Sequence, residues 1–343
     1  MKKEARRETV EADSKRMNRY RRRIALLLCT TILFAGLSAA LISGGEDSIG
    51  GFRTQEGRAV YQAAYAEAMN LLPKPTRTYD IETAFGIVRA YEWSGAGHAG
   101  KTPVILIPGH SSGAPMWYAN LGEIAATRTV YAFDPLGDAG MSVNTVPLRA
   151  TKDQAQYIDE ALEKLGVGKA HIVGHSFGGA AAAAVAVYKP QRVASLSLIE
   201  PVFTLSAPPA SVLLWAIPAS LPFLPETWRN QAMLNMVGEE ASDAAFDDPV
   251  ARMIAAAAEH YSDELPTPKV LADEELAQLT MPVYVALAEK SLSGSDAAQR
   301  AARAGRGLGR HNAFASNGSF AGAGRKAGGA LGCNGRRVTQ RRF

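Results

Sequence analysis

The chain has 343 residues, 47% of them apolar, which is enough for one large globular domain with appendages. Its formal net charge of +4 conceals a segregation: residues 1–23 hold ten Lys/Arg against four acids, residues 303–343 hold nine and no acid, and the rest holds 18 basic and 29 acidic residues. A basic body that grips nucleic acid is not supported, and two cysteines, Cys29 and Cys333, confined to the end segments, point to neither a disulfide framework nor a metal cluster.

Residues 24–43 (IALLLCTTILFAGLSAALIS) run for twenty residues without a charge, long enough to cross a bilayer as a helix. Arg19, Arg21, Arg22 and Arg23 precede the run, and Glu46 and Asp47 follow it. The positive-inside bias keeps residues 1–23 cytoplasmic and places the body outside the cytoplasmic membrane. A cleaved signal peptide is the competing reading; the long apolar run and long leader favour an uncleaved anchor.

The body then alternates. Residues 55–72 have helical apolar spacing (Val60, Ala64, Ala68, Leu71, Leu72), closed by Pro73 and Pro75. Residues 77–83 and 85–93 read as a strand pair with a turn at Gly86. The runs 103–108 (PVILIP) and 129–133 are continuously apolar, as central parallel strands are. Residues 153–165 read as a helix, 167–173 as a buried strand, 180–188 as a buried alanine-rich helix, and 193–199 as a further strand ending at Glu200. Residues 202–280, rich in proline and in apolar patches such as Val212, Leu213, Leu214 and Trp215, interrupt the alternation as a helical cap. Residues 281–287 (MPVYVAL) resume the sheet. The expected fold class is α/β: a doubly wound, mostly parallel sheet with a helical cap insertion, preceded by a transmembrane helix.

Between the strand 167–173 and the helix 180–188 lies Gly174-His175-Ser176-Phe177-Gly178, a G-x-S-x-G. In that context it is a nucleophile elbow, a tight strand-to-helix turn that projects the Ser176 hydroxyl. Side chains at the two glycines would collide with the turn or a neighbouring strand. The helix that follows aims its first N–H groups at developing negative charge.

With Pro108-Gly109-His110 after a strand, Trp117 beyond it, residues 134–142 similar to a D-x-x-G-x-G-x-S loop one residue longer, GHSFGG at 174–179 and MPVYVALAEKS at 281–291, the chain resembles the serine-nucleophile branch of the α/β-hydrolase superfamily over residues 53–302. The resemblance implies Ser176 as nucleophile and an oxyanion hole made by the backbone N–H groups of His110 and Phe177. Asp134 precedes the serine and reads as a loop-fixing residue, because the fold's triad order is Ser, acid, His. Asp138 reads as a solvated loop charge.

Two triad partners stay open. A serine, Ser291, stands where the family often carries its acid. Glu200, at a strand's C-terminal end where ligands collect, is preferred over Asp296. Of six histidines only His311 falls in the right part of the chain for the base, within a Gly/Arg/Ala-rich segment, residues 303–343. That segment reads as a disordered tail or as the product of a shifted reading frame. Codons permitted for residues 311–320, read one base later, can spell Thr-Thr-His-Ser-Leu-Pro-Met-Glu-Val-Ser, a histidine loop. The function expected is a membrane-anchored serine hydrolase that cleaves an ester or similar acyl bond of a small, hydrophobic substrate, with no cofactor or metal. The alternative is a non-catalytic α/β-hydrolase-like protein that binds a ligand or partner.

Overall fold

The computed structural model describes residues 49–207, 214–215, 217–218, 224–225, 227–228, 231–232, 248–287, 297, 300 and 314–316. The expected membrane-spanning segment, residues 24–43, and the basic segment before it lie outside the described residues. Among the described residues no helix is long and apolar enough to cross a membrane.

After a short strand β1 (Gly51–Phe52) comes helix α1 (Gln55–Met69), opened by the Thr54 hydroxyl, which accepts from the Gly57 N–H at 2.9 Å. Its buried face is Tyr61, Tyr65 and Ala68, continued by Leu72. The expected stripe through Val60 and Leu71 is corrected: both are exposed, because the tyrosines turn that face toward the sheet and toward Phe52. Strands β2 (Arg77–Thr83) and β3 (Gly86–Trp93) form an antiparallel hairpin. The turn falls at Ala84 and Phe85. Gly86 instead opens β3, at φ 139°, where a side chain would strike the Val143 carbonyl of the adjoining strand β6 (Val143–Asn144).

Strands β4 (Val104–Ile107), β5 (Val130–Phe133), β7 (Ala170–His175), β8 (Val193–Ile199), β10 (Val283–Leu287) and β11 (Phe314–Ser316) complete the sheet. Its described order is β11-β10-β8-β7-β4-β5-β3-β2, parallel from β11 to β5, with β6 beside β3. Helices α2 (Tyr118–Ala125), α3 (Thr151–Lys164) and α4 (Phe177–Tyr188) fall between parallel strands. The chain moves from β4 to β5 on one side and returns to β7 on the other, a topological switch point at β4.

Alternation along the strands splits the core into two layers. Ile105, Ile107, Phe133, Ile172, Leu196 and Leu198 face α3 and α4. Val104, Leu106, Val130 and Ala132 face α1, Trp117 and helix α5 (Pro249–His260). Helix α4 is apolar all round and buried from Gly178 to Ala186, and its alanines let α3, β7 and β8 approach together. After α5 the chain forms strand β9 (Tyr261–Ser262), antiparallel to β1, and helix α6 (Asp273–Ala277).

One expectation about the tail is corrected. Within the segment read as a disordered tail or as the product of a shifted reading frame, Phe314–Ser316 forms a strand parallel to β10, with Val285, Ala286 and Leu287 as partners. The physical reason is the sheet edge: β10 otherwise presents a row of unpaired backbone groups, and pairing satisfies them whatever side chains the added strand carries.

Candidate active site

Ser176 follows β7 and precedes α4, at φ 52° and ψ −118°. That left-handed conformation costs a non-glycine residue on the order of 1–3 kcal/mol, so the surroundings must enforce it. They do so with backbone. A side chain at Gly174 would run into the carbonyl oxygen of Gly178, and one at Gly178 into the carbonyl oxygens of Ile107 and Pro108 at the end of β4. The Ser176 N–H donates to the Ile199 carbonyl at 2.9 Å, which ties the turn to the end of β8.

Two sources of N–H groups flank the serine. Phe177 begins α4, so its N–H is among the first-turn donors that have no intrahelical acceptor. On the β4 side, Gly109 to Ser112 forms a turn closed by Ser112 N–H to Gly109 C=O at 3.2 Å, with His110 and Ser111 at its corner and Ser111 at φ 59°. A Cβ added at Gly109 would lie 3.4 Å from Ser176 Cβ, which places this turn directly beside Ser176. The His110 ring sits 5.3 Å, centroid to centroid, from the Phe177 ring. Both expected oxyanion residues therefore meet at the serine.

The loop after β5 holds this turn in place. Asp134 is fully buried and accepts from Ala114 N–H at 2.7 Å, Met141 N–H at 2.8 Å and Tyr65 Oη–H at 2.8 Å. Burial raises its pKa, and those three donors work in the opposite direction. With both oxygens occupied it braces the loop and α1.

Asp138 corrects an expectation. It is not a solvated charge but 2% exposed, and it accepts from Ser111 N–H at 2.8 Å and from its neighbour Ala139 N–H at 2.7 Å. Its Oδ1 lies 3.9 Å from His110 Nε2, and Asp263, just after β9, approaches the same nitrogen at 3.1 Å. Burial of the ring opposes its charge, but the carboxylates of Asp138 and Asp263 outweigh burial and raise the His110 pKa to about 9. Asp263 is pulled the other way: partial burial raises its pKa, and His110 more than reverses that, leaving it below the ordinary value.

His175, the residue before Ser176, is of opposite character. Its Nδ1 is buried against Gly109 with no hydrogen-bond partner among the described residues, and burial lowers its pKa. Among the other histidines, His171 pairs through Nδ1 with the Ser195 hydroxyl at 2.7 Å across β7 and β8.

Glu200 takes φ 47° immediately after β8, and its N–H donates to the Ala286 carbonyl of β10 at 2.9 Å. Ile199, the residue before it, is the register partner of His175 and the acceptor for Ser176 N–H. A side chain at Gly179 would come within 2.9 Å of Pro201 Cβ, so the residues on both sides of Glu200 touch the elbow. The other two expected triad candidates, Asp296 and His311, lie outside the described residues. What the sequence reading missed is the ring of His110 and its two carboxylates. A loop after β5 one residue longer than the family pattern and a His in the turn were the available signals.

The left-handed non-glycine residues Ser111, Ser176, Glu200 and Phe203 all follow the C-terminal ends of β4, β7 and β8. Strain is thus concentrated on one rim of the sheet, beside the switch point.

The sequence model of the Alpha/beta hydrolase family matches residues 104–319. An uncharacterized carboxylesterase of Bacillus subtilis is 27% identical over 144 residues, 42% of this chain and 47% of its own length. A 1-acylglycerol-3-phosphate O-acyltransferase of Homo sapiens is 36% identical over 104 residues, 29% of this chain and 30% of its own. The chain thus spans about half, or less, of the length of these curated relatives. The crystal structure of naproxen esterase from Bacillus subtilis matches with a TM-score of 0.67 at 19% identity, over 78% of this chain and 93% of that one, which shows a shared fold. The strained serine between β7 and α4, the parallel sheet that carries it and the match over residues 104–319 converge: the chain belongs to the alpha/beta hydrolase family.

Proposed function

We propose that the protein is an esterase-type serine hydrolase. Ser176 Oγ attacks the carbonyl carbon of an ester, the carbonyl oxygen becomes an oxyanion, and the alcohol leaves with a proton. Water then adds to the acyl-serine and releases the acid. The observation that carries this reading is the backbone-enforced strain at Ser176 with the Phe177 N–H and the His110 turn beside it. Such donors typically contribute about 2.7–4 kcal/mol each to the transition state.

Glu200 is the preferred acid, because β8 delivers it next to the elbow. His311 is the sequence candidate for the base. The carboxylesterase named among the relatives favours a small-molecule ester. The apolar residues of the segment 202–280, read as a cap, favour a hydrophobic acyl group. Residues 24–43 would anchor the body at the outer side of the cytoplasmic membrane.

A fluorophosphonate probe tests the reading, because it phosphonylates only an activated serine. The expected result is strong labelling of the full chain that disappears in Ser176→Ala. An unlabelled, folded chain would reject the enzyme in favour of a non-catalytic binding protein. Running the frame-restored sequence in parallel shows whether the tail limits activity.

A further inference from the structure

His110 offers its backbone to the oxyanion hole, but its side chain does something the motif does not require. The ring lies between two carboxylates from different parts of the chain: Asp138, in the loop after β5, and Asp263, beyond β9. Nε2 is buried and meets neither in hydrogen-bond geometry, so the pairing is held by charge and distance. The other ring nitrogen, Nδ1, is 3.3 Å from the Ser111 hydroxyl. Asp138 also takes the Ser111 N–H, so one carboxylate grips the peptide after His110 and faces its ring. The two outer segments are themselves joined, since Glu264 N–H donates to the Gly137 carbonyl at 3.0 Å.

We propose that the His110 side chain is a positioning residue: as an imidazolium clamped by Asp138 and Asp263, it locks the oxyanion turn to the segment following α5 and so fixes where its own N–H points. The catalytic consequence rests on the esterase reading above; the clamp itself does not. The buried Asp138 and the partly exposed His110 and Asp263 form a charged unit that works only while the ring is protonated. Loss of its proton leaves Asp138 and Asp263 facing each other across a neutral ring, and the like-charge contact drives the segments apart. Among the described residues, the charged and titratable groups that face this unit are Asp138 and Asp263 themselves, with Tyr261 beside both carboxylates, Tyr61 and Tyr157 near Asp138, and Arg53 near Asp263. The Phe177 ring lies against the His110 ring, and part of the imidazole stays open to solvent.

The linkage has a definite sign. The folded ring titrates at about 9, above the ordinary value of 6.5. The stabilisation is therefore complete below the unfolded pKa of about 6.5 and is lost as pH rises through about 9.

The test is a histidine-labelled full chain followed by NMR as pH is raised, with the His110 signal assigned by its disappearance in His110→Gln. The expected result is an imidazole that titrates near 9 and moves down by about 1 unit in Asp263→Asn, as loss of one nearby opposite charge predicts. The Ser111 amide should shift along the same curve. An imidazole titrating near its ordinary value, or one that Asp263→Asn leaves in place, overturns the clamp.

Fluorophosphonate labelling supplies the second readout. The labelling rate should fall across the same pH range, with a flat alkaline profile and a lower plateau in His110→Gln. If the wild-type alkaline fall persists unchanged in His110→Gln, the positioning role is overturned. A chain that shows the titration but never labels rejects the esterase reading and leaves the clamp standing.

Discussion

At β7 the turn that carries Ser176 is boxed in by main chain on every side: Gly174 against the Gly178 carbonyl, Gly178 against the carbonyls ending β4, and the Ser176 N–H on Ile199. At one edge of the same parallel array, β11 is three residues whose strand partner among the described residues is β10. The first region is over-determined by contacts that no side-chain exchange can relax. The second is held by one ladder of backbone hydrogen bonds. On the proposed esterase reading both are needed, because Ser176 comes from the first region and its proposed partners come from the rim between β8 and the far edge. The half that carries Ser176 is therefore robust, and the half that would carry its proposed partners is fragile.

Three substitutions sharpen or break that contrast. The largest effect is expected at Glu200, which links the two regions. Glu200→Gln should lower the labelling rate by about 10³–10⁴-fold, as loss of a triad acid does, with the unfolding midpoint little changed. A rate within a few-fold of wild type would move the acid role away from Glu200. Next is Gly178→Ala, whose methyl group would meet the Ile107 and Pro108 carbonyls. We expect about 3 kcal/mol of destabilisation in urea unfolding, because backbone cannot move aside as a side chain can. A loss below about 1 kcal/mol would show the elbow to be less rigid than its geometry indicates. The smallest effect is expected at Tyr65→Phe, which removes one of three donors to buried Asp134. About 1–2 kcal/mol should be lost in the same assay, since two donors remain on the carboxylate.

The strands β4 and β5 were legible because each is a continuous apolar run, and every residue of both is buried, whereas β8 and β10 bury alternate residues. The elbow was legible for a different reason: everything that defines Ser176 lies within a few residues of it, apart from the strands it touches. His110 and Asp138 were not, because their meaning depends on Asp263, far along the chain and in a segment without periodicity. Nothing in the sequence near Asp138 distinguishes a buried, hydrogen-bonded carboxylate from a solvated one. The face of α1 was misread because small and aliphatic residues at helical spacing looked like the core stripe, whereas Tyr61 and Tyr65 fill the space beneath the sheet. Strand β11 was illegible since its pairing comes from the exposed edge of β10 and not from its own composition.

The order of the strands along the chain also governs how the protein is made. The N–H of Ser176 needs Ile199 as acceptor, so the elbow cannot close until β8 has left the ribosome. The strand β10 then waits for Phe314–Ser316, more than two dozen residues further on, with one edge open to any other strand in reach. Alterations to the last part of the message would thus act first on solubility during synthesis, before they touch catalysis, and a folding helper that shields an extended edge would matter most in that interval.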